Sequence, residues 1–463
     1  MVREPQGNDD TWFRTRLRRQ ISEISRLAWP IIVARSGIIT MATVDTVMIG
    51  HFSSREMAYM AIGLALIMPI VVTSIGLLMG TLVISANRFG AGQTLECGKA
   101  WRNSLPYASC IGLAGFLFTL FGEEALSLLG QSPELAAGGG DVMRAFGFGL
   151  PLYLIFLTSG FFLEGIERPR PAMMVMIAAN VLNAGLNWVL IFGHLGAPEM
   201  GAAGAAWATT AARCFVGLAI VIYIWTMRDH AAFGVRISPS GGWRSWKQQR
   251  NIGYGIGVSI GAESASFGIL NLFAGWLGPL ALAAYAVAFN LLALVFMVAI
   301  GFGAATAVRV GIAHGRHDWA DMSLAGWTGF AMCTLAMLAL GLVFMSIPGP
   351  LANLFSNDPE LVSLAATLVA FIAYLMVFDG GQALLANALR GRQDVWIPSI
   401  VQCVSFFGVM VPGAYVLVFP GGMGIIGIFY AVLMGSGVST VLMLLRFHLL
   451  TRRDQMEVPA PLA

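Results

Sequence analysis

Two carboxylates, Glu263 and Asp379, stand well inside long apolar runs of this sequence. Asp379 lies in the stretch Phe371 to Gly391, long enough to cross a bilayer at about 1.5 Å rise per residue. Embedding an acid there costs roughly 2.5–3.5 kcal/mol on insertion scales, so it is expected to face a cavity or a partner. Gly380 and Gly381 follow it and weaken the helix locally. Interrupted helices beside charged groups are a mark of transporter binding sites. Glu263 sits near the middle of its own run. If consecutive runs alternate in direction, the two acids reach depths within about two turns of each other. Two acids at one depth have the chemistry to hold a cation or a proton. Asn271 and Asn290 are the expected neutral neighbours, with Tyr285 as a polar wall of the same cavity. The plainer alternative is two unrelated structural acids, each protonated.

A second polar set lies in the first half. One apolar run carries Pro30, Arg35 and Asp45. Arg35 and Asp45 are about 15 Å apart along a helix and cannot pair within it. Pro30 removes a backbone hydrogen bond and is an expected hinge. Another run carries Asn180, Asn183 and Asn187, whose spacings of three and four place them on one helical stripe. Asn187 reaches about the depth of Asp45, so the stripe is expected to face that acid. The alternative is hydrogen-bond glue between helices.

These groups need membrane helices to hold them, and the composition supplies them. The 463 residues are 57% hydrophobic and 11% charged, against about 25% charged in soluble domains. Twelve apolar segments are expected near 27–50, 61–84, 104–121, 144–164, 172–193, 203–226, 252–275, 280–307, 325–346, 363–389, 396–419 and 424–447. The chain thus reads as an all-α polytopic membrane protein with 12 transmembrane helices. The five Cys and six His show no disulfide framework or metal-ligand spacing. Neither Lys99 nor Lys247 stands in a nucleotide-binding loop. The N-terminus, even-numbered loops and C-terminus hold 23 of the 27 Lys and Arg, which predicts that both termini are cytoplasmic.

The basic loop 227–251 contains the linker-like run Ser238-Pro239-Ser240-Gly241-Gly242. It divides the expected lobes, 27–226 and 252–449, with tails 1–26 and 450–463. The halves resemble each other: Ala58 to Ile62 with Ala283 to Val287, Leu163-Glu164-Gly165 with Leu389-Arg390-Gly391, and Gly201 to Ala205 with Gly424 to Ile428. The separations of about 223–226 residues predict a parallel repeat of six helices. In the second half Gly253, Gly257 and Gly261 form a small-residue stripe that admits a close neighbouring helix.

Several of these stretches resemble the multidrug and toxic compound extrusion (MATE) family. They are Pro30-Ile-Ile-Val through Val44-Asp45-Thr46 to Gly50, Asn183 through Asn187 to Gly193 with the following Gly201 run, and Ala388 to Gly391 through Pro398. Glu263 and Asp379 match the second-lobe acids of NorM-type members. The resemblance covers essentially the whole chain. It implies two six-helix lobes around a V-shaped cavity, no cofactor, and efflux of small cationic drugs in exchange for Na+ or H+. The acids tilt that choice toward Na+. It also implies a bacterial inner membrane location, contact with the lipid bilayer, no nucleic acid partner and a monomer. Some relatives carry Asp where this chain has Asn187, which leaves Asp45 as the ionisable group of the first lobe. A lipid or lipid-linked precursor flippase is the nearest alternative, but it calls for several basic cavity residues. By sequence only Arg35 and Arg213 lie within helices. An integral-membrane transferase calls for a large polar loop with clustered acids or His.

Overall fold

The computed structural model describes residues 9–237, 242–356 and 358–456. The linker-like residues 238–241 lie outside these. Twelve helices among the described residues are long and apolar enough to span a membrane. They are α1 (Phe13–Phe52), α2 (Ser54–Gly90), α3 (Thr94–Leu120), α4 (Pro133–Gly165), α5 (Arg170–Leu190), α6 (Gly201–Thr226), α7 (Arg244–Trp276), α8 (Pro279–Gly315), α9 (Trp319–Ser346), α10 (Pro359–Gly391), α11 (Trp396–Val418) and α12 (Ile425–Asp454). Each expected segment corresponds to one of them. Most helices run past the apolar stretch at one end, because amphipathic turns continue where hydropathy falls. Arg309 and Arg390 thereby become buried helix residues, as do Arg102 and Arg250, where the hydropathy pattern had left only Arg35 and Arg213 inside helices.

The chain forms two compact units, Val33–Gly261 and Met1–Ile32 with Ala262–Ala463. The expected boundary in the loop 227–251 falls inside the first of these. The division instead passes through α1 just after Pro30 and through α7 just before Glu263. The expected tail 1–26 is another departure, since its helix begins at Asp9. Ion pairs explain where the first turns belong. Arg16 meets Asp318 at 3.2 Å, Arg19 meets Asp321 at 2.6 Å, and Arg309 pairs with Glu23. Gln20 donates to Asp321 at 2.9 Å, and Arg316 closes on the same carboxylate at 2.7 Å. Asp321 is fully buried, so these donors are what make its burial tolerable.

Each unit is built around one central helix. In Val33–Gly261, α4 packs on α2, α3 and α6. In the other unit α10 packs on α8, α9 and α12. The glycine stripe acts as expected through its neighbour α2. A side chain at Gly76 would approach the Cα of Gly257 to 2.7 Å, and one at Gly253 would meet the Leu77 carbonyl.

Candidate ion and substrate sites

In the Val33–Gly261 unit, Asp45 on α1 is 2% exposed and faces α5 and α6. Asn187 donates to its Oδ1 at 2.7 Å, and the Thr209 hydroxyl donates to its Oδ2 at 2.6 Å. Asn183 accepts from Asn187 at 3.2 Å and donates to Thr209 at 3.1 Å. The spacing of Asn183 and Asn187 thus delivers both to one carboxylate. Asn180 does not join them: its amide nitrogen bonds back to the Met176 carbonyl at 2.9 Å. Thr209 was not foreseen. Its run, Gly201 to Ala208, is dominated by Gly and Ala, which mark close packing but not a hydroxyl's aim.

A cavity opens beside Asp45, with about 60 Å³ of water-accessible space. Met41, Met60, Met68 and Met176 line it, with Phe146, Tyr153, Thr209 and Arg213. Methionine walls adapt to ligands of different shape. The buried Arg213 guanidinium lies 4.6 Å from the Phe146 ring and 4.7 Å from the Tyr153 ring, so aromatic faces help to hold its charge. Arg35 instead bonds Glu164 at 3.0 Å and lies over Phe161. Glu164 is a further embedded acid, and in the sequence it stands out only as part of the internal repeat.

In the other unit, Gln382 on α10 links the two acids. Its Nε2 lies 3.4 Å from Oε1 of Glu263 and 3.4 Å from Oδ1 of Asp379. Ser436 on α12 donates to the same Asp379 oxygen at 3.0 Å. Gln382 is itself oriented by α11 and α12: Gln402 donates to its Oε1 at 2.9 Å and Ser439 at 3.5 Å. Arg390, one helix end away on α10, donates to Gln402 at 3.2 Å. The backbone of α11 widens into π-type turns over Val404–Met410, just past Gln402. Gln382 and Gln402 were missed because a single amide in an apolar run has no periodic signal.

The other expected neighbours lie elsewhere. Asn271 is exposed, two turns beyond Glu263 on α7, and Asn290 is exposed and bonds to its own helix at Ala286. Tyr285 is buried in an apolar cluster, stacked on Phe289 at 5.8 Å and edge-on to Phe429 at 6.1 Å. It is a packing residue, not part of a polar wall. Pro30 is buried within a continuous α1, two residues before the unit boundary.

The MatE family model matches this chain twice, over residues 30–189 and 256–416. The two matches begin 226 residues apart, the separation of the internal repeat. The chain is 37% identical over 434 residues to a probable multidrug resistance protein NorM of Caulobacter vibrioides, covering 94% of this chain and 92% of that one. It is 29% identical to the multidrug resistance protein PmpM of Pseudomonas aeruginosa, covering 87% and 85%. Among solved structures, the eukaryotic MATE transporter AtDTX14 superposes with a TM-score of 0.86 at 20% identity, over 96% of this chain and all of that one. An outward-facing multidrug resistance MATE transporter gives 0.87 at 18% identity, over 94% and 96%. These structures share the fold, and the family match spans both halves. The chain is therefore a membrane transporter, not an enzyme, and it belongs to the MatE family.

Proposed function

We propose that this protein is a multidrug efflux antiporter that exports organic cations across the bacterial inner membrane in exchange for Na+ or H+. The observation that carries this reading is the approach of Glu263 and Asp379 to one bridging amide inside membrane-spanning helices. Two carboxylates so placed repel when both are ionised. A bound cation relieves that repulsion, and so does a proton. A coupling ion and a cationic substrate then compete for one negative charge, which is the least that exchange requires. Asp45, held by Asn187 and Thr209 beside a methionine-lined cavity, serves as a second coupling group, and its titration bends α1 near Pro30. The names of the relatives support drug export, and the alternation of basic loops supports cytoplasmic termini.

The deciding experiment uses the purified full chain in proteoliposomes, with tetraphenylphosphonium as the transported probe. Na+ and H+ gradients are imposed separately. Probe movement against its own gradient under either one is the expected result. Movement under neither removes the antiport reading. The flippase alternative gains support from the additional buried arginines, Arg309 and Arg390 among them. It predicts instead that a labelled anionic lipid crosses the vesicle membrane faster when the protein is present.

A further inference from the structure

The direction of the hydrogen bonds around Glu263 and Asp379 discriminates between the two coupling ions. Arg390 has five N–H donors and no acceptor, and it stays charged. It donates to Gln402, so Gln402 must turn its oxygen toward α10 and its Nε2 away. That Nε2 donates to Oε1 of Gln382, and Ser439 donates to the same oxygen. The Gln382 amide therefore has its oxygen engaged and presents its N–H groups to both acids. One guanidinium fixes the polarity of the whole chain.

We infer that Gln382, oriented through Gln402 by Arg390, is the residue that makes the Glu263–Asp379 site accept a proton and reject Na+. This rests on the antiport reading above for the meaning of the site. Na+ is a hard cation and needs a shell of oxygen ligands. Between these carboxylates it meets the positive end of an amide. Turning Gln382 over would supply an oxygen, but it would set the Nε2 groups of Gln382 and Gln402 against each other. Turning Gln402 as well would set its Nε2 against Arg390. Each step leaves buried donors facing one another, with the hydrogen bonds of both left unmade. A proton needs no such shell. With one carboxyl protonated, the Gln382 N–H still faces acceptor oxygens, and the chain from Arg390 is undisturbed. The charged groups acting on Glu263 are Asp379 and Arg390. The NorM-like acids alone favour Na+; the donor facing them reverses that preference.

The test measures equilibrium binding of radioactive Na+ to the purified full chain, which does not depend on transport. The wild type should show no saturable binding. Gln402→Glu keeps an acceptor for Arg390 but removes the donor to Gln382, freeing that amide to turn. Gln382→Glu places an oxygen at the acids directly. Either variant recovered folded should bind Na+ saturably, at least about tenfold more tightly than the detection limit that the wild type fails to reach, a difference of at least about 1.4 kcal/mol. In the proteoliposome assay the wild type should respond to the pH gradient alone, and the variants should gain a response to Na+. Saturable Na+ binding by the wild type overturns the inference, as do folded variants that remain blind to Na+. Failure of probe transport under both gradients counts against the antiport reading, while the binding result still decides the role of Gln382.

Discussion

Arg35 and Glu164 bond at 3.0 Å in the Val33–Gly261 unit, and the internal repeat carries this pair to the other unit with its signs exchanged. At the repeat separation Glu164 corresponds to Arg390, and Arg35 falls two residues from Glu263. Arg390 and Glu263 interact electrostatically in their turn. An acid of the fourth helix faces a base of the first; a base of the tenth faces an acid of the seventh. The corresponding helices thus carry an acid and a base in both units, with the charges exchanged between them. In the first unit the acid is consumed by a local partner. In the second it is left near Asp379 and Gln382.

The Arg35–Glu164 pair should accordingly behave as a structural tie. Its side chains are 13% and 5% exposed, so removing one partner strands a nearly buried charge. Loss of one member of such a pair costs about 3–5 kcal/mol, whereas replacing both with apolar groups is often tolerated. Arg35→Met and Glu164→Gln should each lower the thermal midpoint of the detergent-purified protein. Arg35→Met combined with Glu164→Leu should recover much of the loss. Equal midpoints for the wild type and both single variants would show that the pair does not hold α1 to α4.

Asp45 is a different case, since its partners are neutral. Both carboxylate oxygens accept hydrogen bonds from fixed donors, Asn187 and Thr209. Asp45→Asn sets an amide N–H group against one of those donors and removes the charge. Drug efflux from cells should fall at least about tenfold, with normal amounts of protein in the membrane, for the loss of one charge-assisted contact and its titration. Retention of full resistance would reduce the cluster to packing between α1, α5 and α6.

Outside the spanning segments, Arg168 forms a two-pronged bond with Asp229 at 2.8 and 2.6 Å. That bond holds the Asp229 carboxyl below its usual range. A depressed folded-state pKa stabilises the protein above the unfolded value and ceases to do so as pH falls through the folded one. Arg168→Met should therefore lower the thermal midpoint at pH 7 slightly, and the difference from wild type should shrink below about pH 4. Arg168 also lies over the Phe233 ring at 5.9 Å, and a difference that persists unchanged in acid would be assigned to the loss of that contact.

The orientation of the chain is tested at Ser245, an exposed residue in the first turn of α7, within the basic stretch 227–251. In a variant whose five native cysteines are replaced, Ser245→Cys should resist a membrane-impermeant thiol reagent in intact cells. It should react once the cells are opened. Ready labelling from outside would invert the assignment drawn from the arginines.

What the sequence made visible follows from which signals add up along a chain. Twelve spans were legible because each sums hydropathy over about twenty residues. Asp45 with Asn183 and Asn187 was legible because a helix brings residues three and four apart onto one face. Asn180 belongs to the same stripe but turns back to Met176, a rotamer choice that spacing does not encode. Asn271 and Asn290 looked apt by residue type and proximity in sequence, yet both are exposed, and Asn290 bonds to Ala286 of its own helix. Gln382 lies three residues from Asp379 in plain view, but its role depends on Gln402, Ser439 and Arg390, contributed by three helices. The unit boundaries were hidden for a related reason. They pass through the middle of α1 and α7, where no Gly/Pro-rich linker marks them, and the first turns of α1 are held by Asp318 and Asp321, some 300 residues away.

The acids of the second unit provide the sharpest test of coupling. Glu263 and Asp379 both lie at 3.4 Å from one amide nitrogen, so their protonation states depend on each other and on whatever cation approaches. Glu263→Gln removes one charge from this set and Asp379→Asn the other. Either change leaves a single carboxylate that no longer experiences the repulsion whose relief drives release. Each single variant should lose ion-driven efflux of tetraphenylphosphonium, and the double variant should be little worse than either, since residues sharing one site do not contribute additively. Binding of the probe should survive in part, because apolar and aromatic walls supply much of the affinity in such cavities. The measurements are transport in proteoliposomes and ion-dependent release of bound probe from purified protein. Wild-type coupling in both single variants would remove this site from the mechanism and leave Asp45 as the coupling group. Losses that simply multiply in the double variant would show two independent acids, each with its own ion.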